Sequence, residues 1–141
     1  MPTETICDEL SFQTRGFTDI IDITPEISSL LSKNNISSGL VNLFVPGSTA
    51  ALTTIEYEPG LLKDLPEFLE KIIPQDRSYN HDKTWGDGNG YAHLRAALIG
   101  PSLSVPIQSG RMTLGTWQQI VLIDFDNRPR QRRLVIQVLS T

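Results

Sequence analysis

The chain has 141 residues, of which 39% are hydrophobic, 20% charged and 7% aromatic, and its formal net charge is −4 at pH 7. This composition excludes a disordered chain, a collagen-like repeat and a coiled coil, and the length predicts one domain over residues 1–141. No apolar run approaches the roughly 20 residues of a membrane span, and the excess of acidic residues argues against a nucleic-acid partner. The N-terminal residues lack the apolar segment of a secretory signal. Together these features predict a cytoplasmic protein.

The beginning of the chain predicts two strands followed by a helix. Thr5–Thr14 alternates apolar and polar residues in part, and Phe17–Ile23 is rich in threonine and isoleucine, so we expect the two segments to form a β-hairpin. The lone Cys7 has no partner for an internal disulfide, and we expect it to pack in or beside the first strand. The sequence Thr-Pro-Glu from Thr24 offers a hydroxyl cap, a proline at the first helical position and an acid in the first turn, which predicts a helix that ends at Asn34.

The middle of the chain predicts two further strands, a second helix and a long loop. Ser38–Val45 and Ser48–Glu56 are β-rich runs separated by a Pro-Gly pair. Pro59–Ile73 carries leucine, isoleucine and phenylalanine along one helical face, and Pro66 is expected to kink or restart this helix. Gln75–Gly90 is polar and contains three alternating glycines, which predicts a functional or mobile loop.

The last third predicts a short helix and then mostly strands. Tyr91–Ile99 reads as a helix with Leu94, Leu98 and Ile99 facing inward. The predicted strands that follow are Leu103–Gln108, Met112–Leu114, Trp117–Phe125 and Arg132–Leu139. Many strands and few crossover helices favour an α+β domain with a largely antiparallel, sandwich-like sheet and two to three helices.

The only two histidines, His81 and His93, flank the glycine-rich loop. Histidine is the side chain best suited to metal ligation or proton transfer near neutral pH, and Glu56, Asp82 and Asp87 can add oxygen ligands. The alternative is a solvated His81 and a His93 that caps or packs. Glu56 ends a strand of hydroxyl-bearing residues, which predicts either a polar pocket wall or an ordinary sheet face.

Three other segments carry candidate chemistry. The loop Gly86–Gly90 can present backbone N–H groups to an anion, or it can be a flexible turn. Gly115 within a β pattern indicates a bulge, so that Trp117 and Gln118 can stack on and hydrogen-bond to a planar ligand; Trp117 can equally fill the core or a subunit interface. The arginines of segment 128–133 can fork onto a carboxylate or a phosphate, protect an edge strand, or pair with acids of a neighbouring subunit.

A series of segments, taken together, carries a family resemblance. In order they are Gly47–Glu56, His81, Ala92–Ala96, Gly100–Leu103, Gly110–Gln118 and Asp124–Arg130. This series closely resembles the YjbQ-like family of uncharacterised proteins, also named secondary thiamine-phosphate synthase. The Leu-Gly-Thr-Trp-Gln stretch and the Ala-His segment are its most specific parts, and the resemblance covers essentially the whole chain.

The resemblance implies a compact α+β domain, a homotrimer and a pocket at the subunit boundary. It also implies a metal site of three histidines, of which His81 and His93 match two. Gly47 stands where many members have the third histidine, so two histidines plus water, or plus Glu56 or Asp87, would form a weaker site. Zinc or magnesium is the expected metal. Glu56 matches the family's glutamate, and Asp124 stands where many members carry a glutamate.

The implied activity is the weak joining of an aminopyrimidine diphosphate to a thiazole phosphate, with His81, His93 and Glu56 as catalytic residues. Such chemistry needs a metal or cationic donors, such as Arg111 or Arg128, to stabilise the departing diphosphate. The alternatives are a trimeric module that binds a metal or a phosphorylated ligand without turnover, and a purely structural trimer. The candidate ligand-binding residues are Ser48, Thr49, Asp87, Asn89, Arg111, Gly115, Thr116, Trp117, Gln118, Asp124 and Arg128.

Overall fold

Residues 3–141 are described by a computed structural model, in which they form two antiparallel β-sheets and four helices. The strands are β1 (Glu4–Thr14), β2 (Asp19–Asp22), β3 (Gly39–Phe44), β4 (Ala50–Ile55), β5 (Ser102–Gln108), β6 (Arg111–Met112), β7 (Gln119–Asp124) and β8 (Arg130–Ser140). The helices are α1 (Thr24–Lys33), α2 (Pro59–Ile72), α3 (Asn80–Trp85) and α4 (Gly90–Ile99). The predicted α+β class with antiparallel, sandwich-like sheet is confirmed, with one helix more than the two to three expected.

Each sheet is assembled from strands that are distant in the sequence. The larger sheet has the order β1-β8-β3-β5-β6 and the smaller one β2-β7-β4. The predicted hairpin of the first two strands is wrong, because β1 pairs with β8 and β2 pairs with β7. Phe17 and Thr18, at φ of 56° and 65°, carry the chain from one sheet to the other. The Phe17 N–H donates to the Asp126 carbonyl at 2.8 Å, so a long-range partner fixes this crossing.

Two apolar cores divide the molecule into three layers. The first lies between the sheets, where Val41 and Ile136 of the larger sheet belong to the same cluster as Leu52 and Leu122 of the smaller one, and α1 adds its predicted apolar face. The second lies between the other side of the smaller sheet and helices α2 and α4. Strand β7 is therefore buried on both faces. Within residues 3–141, no helix is both long and apolar enough to cross a bilayer.

Helix α4 buries the predicted face only at Ile99, which packs against the second core. Leu94 and Leu98 are 47% and 62% exposed, although both were expected to point inward. Instead Ala92 and Ala96 are buried in one cluster with Ala51 of β4. Small side chains on both elements let the helix lie close to the sheet, and this close approach leaves the leucines on the outer surface.

Two further local predictions need correction. The segment Gln75–Gly90, expected to be a loop, contains α3, because the Asp82 carboxylate accepts hydrogen bonds from the Tyr79 N–H at the helix start and from the Gly90 N–H beyond its end. Cys7 lies on β1 as expected but is exposed, since its side chain points away from the shared core.

A buried ion pair joins the two sheets at one end of the sandwich. Arg132 of β8 forks onto Asp124 of β7, with Nε to Oδ2 at 2.6 Å and Nη2 to Oδ1 at 2.9 Å. The hydroxyl of Thr14 on β1 donates to the same carboxylate at 2.6 Å, and Thr49 accepts from Arg132 Nη2 at 2.6 Å. Asp124 is fully buried. Because β8 lies between β1 and β3, Arg132 does not protect an edge strand; it takes the carboxylate-forking role, within its own chain.

We expect Asp124→Asn to lower the free energy of unfolding by about 3–5 kcal/mol, because the buried Arg132 guanidinium would lose the carboxylate that it forks onto and keep only Asp126, whose Oδ2 lies 3.7 Å away. Urea unfolding followed by circular dichroism measures the change. Glu9→Gln is the control, since it removes the exposed Glu9–Arg133 pair on the outer side of the sheet, and its effect should stay under about 1 kcal/mol. Equal effects of the two variants would contradict a structural role for the buried pair.

Candidate functional site

A pocket of about 900 Å³ opens between α3, α4 and the turn that joins β3 to β4. Its lining residues include Gly47 and Ser48 from that turn, the segment 77–81, Lys83, and His93 with its neighbours on α4. The charged side chains in this lining are the basic Arg77 and Lys83, and no carboxylate belongs to it within the described part of the chain. An acidic protein therefore presents a basic pocket.

The two histidines meet at the wall of this pocket. His81 lies in the first turn of α3 and His93 in the first turn of α4, and their ring centroids are 4.1 Å apart. The Nδ1 atom of His81 is buried and has no hydrogen-bond partner among the described residues. It lies 3.5 Å from Asp87 Oδ1 and 3.9 Å from Asp82 Oδ1. The convergence of the histidines, which their spacing permits but does not require, is therefore present.

Asp82 and Gly90 explain why the histidines converge. The Asp82 carboxylate accepts from the Tyr79 N–H at 3.0 Å and from the Gly90 N–H at 2.9 Å, so it joins the start of α3 to the start of α4. A Cβ on Gly90 would stand 2.6 Å from Tyr79 Cβ, which leaves room only for glycine. These two backbone hydrogen bonds hold the pKa of Asp82 below its ordinary value. Asp82 is thus an ionised structural link between the two helices.

The surroundings of His93 favour its neutral form. Burial, and then the neighbouring His81, lower the pKa of His93, while the carboxylates of Asp87, Asp126 and Asp82 oppose the shift only in part. A neutral imidazole keeps a lone pair on one ring nitrogen. His93 is therefore available at neutral pH as a metal ligand or a proton acceptor.

The donor set fits a metal ion. Ligand atoms of His81, Asp82 and Asp87 lie within 4.8 Å of one another. His93 lies outside this group, with its ring centroid 4.1 Å from that of His81 and its plane tilted by 36°. Both oxygens of Asp82 accept backbone N–H groups, and Asp87 Oδ1 accepts the Asn89 N–H at 3.1 Å. The remaining donors are the two imidazoles and the second oxygen of Asp87. Two imidazoles with a carboxylate suit zinc, and the orphaned Nδ1 of His81 gives that imidazole a free ligand position.

A buried polar network lies beneath the glycine-rich loop. Asp126 accepts from the Thr49 hydroxyl at 2.9 Å and from Arg130 Nε at 3.1 Å. The Asn127 N–H donates to Asn89 Oδ1 at 3.1 Å, which ties the β7–β8 turn to the loop before α4. Burial works against ionisation of Asp126, but the hydrogen bond from Thr49, the neighbouring Asn89 side chain and the nearby Arg130 outweigh it, so the pKa of Asp126 is lowered.

The predicted site residues separate into groups along the sandwich. Those at the pocket end are His81, His93, Ser48, Thr49, Asp87, Asn89 and Asp124. Glu56 and the segment Gly115–Gln118 lie at the far end of β4, because Ala50 pairs with Asp124 and Ile55 with Gln119. A strand of this length spans roughly 17 Å. Glu56 therefore does not meet the histidines within one chain.

The Gly115–Gln118 segment forms a turn rather than the predicted strand start. Gln118 accepts from the Gly115 N–H at 3.0 Å and donates to the Thr54 hydroxyl at 3.0 Å. Trp117 is 72% exposed, which excludes the core alternative within this chain. Thr116 is exposed beside it.

The two arginines expected to stabilise a diphosphate lie outside the pocket. Arg111 is exposed on β6, beyond the end of β5 that lies away from the pocket, and Arg128 is exposed in the β7–β8 turn. The basic side chains of the pocket are instead Arg77 and Lys83, which the sequence analysis missed. The signal in the sequence that could have identified them is their position on either side of His81.

Known proteins resemble this chain along nearly its whole length. Residues 8–141 match the model of the family described as UPF0047 protein YjbQ-like. A UPF0047 protein of Archaeoglobus fulgidus is 42% identical over 131 residues, which cover 93% of this chain and 99% of that protein. The UPF0047 protein YugU of Bacillus subtilis is 31% identical over 132 residues, covering 93% and 97% of the two chains.

Two solved structures share the fold. A YbjQ-like protein of unknown function from Sulfolobus solfataricus matches with a TM-score of 0.92 at 28% identity, covering 99% of this chain and 100% of that one. A hypothetical protein from Aeropyrum pernix matches with a TM-score of 0.89 at 30% identity, covering 96% and 99%. The resemblance and the fold predicted from the sequence are thereby confirmed.

The lowered pKa of Asp126 predicts a defined pH dependence of stability. A carboxylate with a lowered pKa in the folded state stabilises the fold fully above its unfolded pKa, and the contribution is lost as the pH falls through the folded value. We expect Asp126→Asn to cost about 1–3 kcal/mol of unfolding free energy at pH 7, and this deficit to shrink below about pH 4. Urea unfolding of both proteins at pH 7 and pH 3 measures it; a deficit that grows at low pH would contradict the assignment.

Proposed function

We propose that this chain, which belongs to the YjbQ-like UPF0047 family, binds a phosphorylated small molecule in the basic pocket, beside a divalent metal held by the histidine pair. The observation that carries the proposal is the pairing of His81 with His93 at the wall of a pocket whose charged side chains are basic. The volume of about 900 Å³ suits a small organic ligand.

The metal would be held by His81, His93 and Asp87, with the remaining positions left to water or ligand. Zinc suits this set better than magnesium, which prefers oxygen ligands in octahedral geometry. When bound, a divalent ion supplies Lewis acidity toward phosphoryl oxygens. Asp82 would not bind the metal, because both of its oxygens accept backbone N–H groups. Its role would be to hold together the two helices that carry the histidines.

The phosphorylated ligand is supported by the charge of the pocket wall. Arg77 and Lys83 offer cationic donors, and the exposed Ser48 adds a hydroxyl at the opposite side. Arg77 lies over the Tyr79 ring, with its guanidinium carbon 4.9 Å from the ring centroid, so its side chain is held in place. A dianionic group would gain from both cations in a partly enclosed space.

A homotrimer would complete this site. Glu56, Trp117 and Gln118 lie at the end of β4 remote from the histidines, so only a neighbouring copy can bring them to the same pocket. Trp117 is 72% exposed, and Leu94 is a half-exposed apolar residue of the pocket lining. Covering such apolar surface is a common driving force for association. In the proposed trimer, Trp117 of one copy lies over the pocket of the next.

The reaction that we propose for this site is the weak formation of thiamine phosphate. The thiazole nitrogen forms a bond to the methylene carbon of the aminopyrimidine diphosphate, the carbon–oxygen bond breaks, and diphosphate leaves with the electron pair. Lys83 and Arg77 would stabilise the departing charge. A trimeric binding module without turnover is the second candidate, favoured by a pocket lining that contains no carboxylate among the described residues.

We expect His81→Ala and His93→Ala each to weaken zinc binding by at least about tenfold, because each removes one of three ligands. Isothermal titration calorimetry with zinc and with magnesium measures the affinities. Cys7→Ser is the matched control, since it removes an exposed thiol, another zinc-binding group, far from the pocket and should leave the affinity unchanged. Unchanged zinc affinity in both histidine variants would refute the site.

The same variants separate the two candidate functions. Thiamine phosphate formed by the wild type and lost in His93→Ala supports catalysis. Stabilisation against heat by phosphorylated ligands without any product supports the binding module. Product formation unaffected by His93→Ala would remove the histidine from the mechanism.

We expect the protein to sediment as a trimer at micromolar concentration and Trp117→Ala to shift it toward monomer, because the substitution removes a large apolar contact. Sedimentation velocity measures the distribution. Phe68→Ala is the control, since Phe68 is 56% exposed on α2 and lies outside the proposed contact. A wild-type monomer would contradict the shared pocket.

A further inference from the structure

We infer that Arg132 supplies a phosphate-binding donor at the floor of the pocket, reached through the gap left by Gly47. This inference rests on the proposed function, because it assigns a recognition group to the same pocket. It concerns a residue buried between the two sheets rather than one on the pocket wall.

Two of the three guanidinium nitrogens of Arg132 are committed. Nε and Nη2 bond both oxygens of Asp124, and Nη2 also donates to Thr49. Nη1 makes no hydrogen bond to any described residue, yet it is not among the fully buried polar atoms without a partner. Since the side chain as a whole is only 10% exposed, Nη1 is an unpaired donor on a mostly buried group.

Gly47 lies directly over this free donor. A Cβ on Gly47 would stand 3.0 Å from Arg132 Nη1, so any side chain there would crowd the guanidinium. Gly47 also has a φ of +128°, which L-residues rarely adopt. Gly47 lines the pocket and Arg132 does not, so Nη1 lies behind this glycine, with no Gly47 side chain between the donor and the pocket.

The bidentate ion pair with Asp124 orients Arg132 to bind phosphate. The bidentate pair fixes the guanidinium plane, so Nη1 is held in one direction before any ligand arrives. Asp124 cancels the charge of Arg132, but Lys83 and Arg77 line the same pocket and keep its potential positive. A phosphate group, with several acceptor oxygens, can bond Nη1 and face these cations together. We therefore assign phosphate, as part of a small molecule, to this floor.

The test uses inorganic phosphate as the probe, with EDTA present so that no metal-bound phosphate contributes. Binding is measured by titration calorimetry for the wild type, Gly47→Ala, Gly100→Ala and Lys83→Ala. Gly100 is the matched control, because it has a φ of +100° but no atom within 4 Å of its Cβ position. We expect phosphate to bind at least about tenfold more weakly to Gly47→Ala, whereas Gly100→Ala stays within about twofold.

A second measurement does not depend on any variant folding. The Arg132 Nε–Hε resonance of ¹⁵N-labelled wild type should be observable, since Nε is buried against Asp124. We expect the chemical shift of this resonance to change as phosphate is added, and the titration to give the same dissociation constant as calorimetry.

The calorimetric and NMR results together test whether Arg132 binds phosphate. Weakening in Gly47→Ala together with an Arg132 shift supports the inference, and the shift alone supports it if Gly47→Ala does not fold. Phosphate binding that is weakened by Lys83→Ala, with no Arg132 shift, overturns the inference and leaves the basic pocket standing. No phosphate binding to the wild type overturns both.

Discussion

The buried fork between Arg132 and Asp124 is the interaction on which the rest of the structure depends. It joins β8 of one sheet to β7 of the other, and Thr14 and Thr49 complete its hydrogen bonds. Buried ions carry a large desolvation cost, which the two-point ion pair and its hydrogen bonds with Thr14 and Thr49 offset here. The loops at this end of the sandwich are thereby held in place, and the pocket lies above them.

The pocket itself is built from short links between loops. Asp82 joins α3 to α4, Gly90 permits their close approach, and Asn127 ties the β7–β8 turn to the loop before α4. These contacts bring His81 to His93 and leave the Nδ1 atom of His81 without a partner. The charged residues of the pocket lining are basic although the chain is acidic, and the nearby Asp82 and Asp126 are engaged in capping and network hydrogen bonds.

The candidate residues lie at two ends of the sandwich, so the site that we propose needs a neighbouring copy. The histidines and the hydroxyl-bearing turn share one end of β4, while Glu56 and Trp117 occupy the other. Gly47 departs from the histidine that the family resemblance leads one to expect, and Arg132 lies in the space that its side chain would enter. The site that we propose combines a metal on two histidines and one aspartate, an arginine donor and a neighbouring subunit.

The sequence by itself determined the family, the α+β class, most strand and helix positions, and the proximity of His81 and His93 to the glycine-rich loop. These features follow from local periodicity, capping residues and motif order. Only the tertiary structure decided which strands pair, which face α4 buries, and which hydroxyl groups join the Arg132–Asp124 pair. The reason is physical: Arg132 and Thr49 are 83 residues apart, and Thr14 and Asp124 are 110 apart. Such partners are selected by packing across the whole domain, which no local pattern encodes.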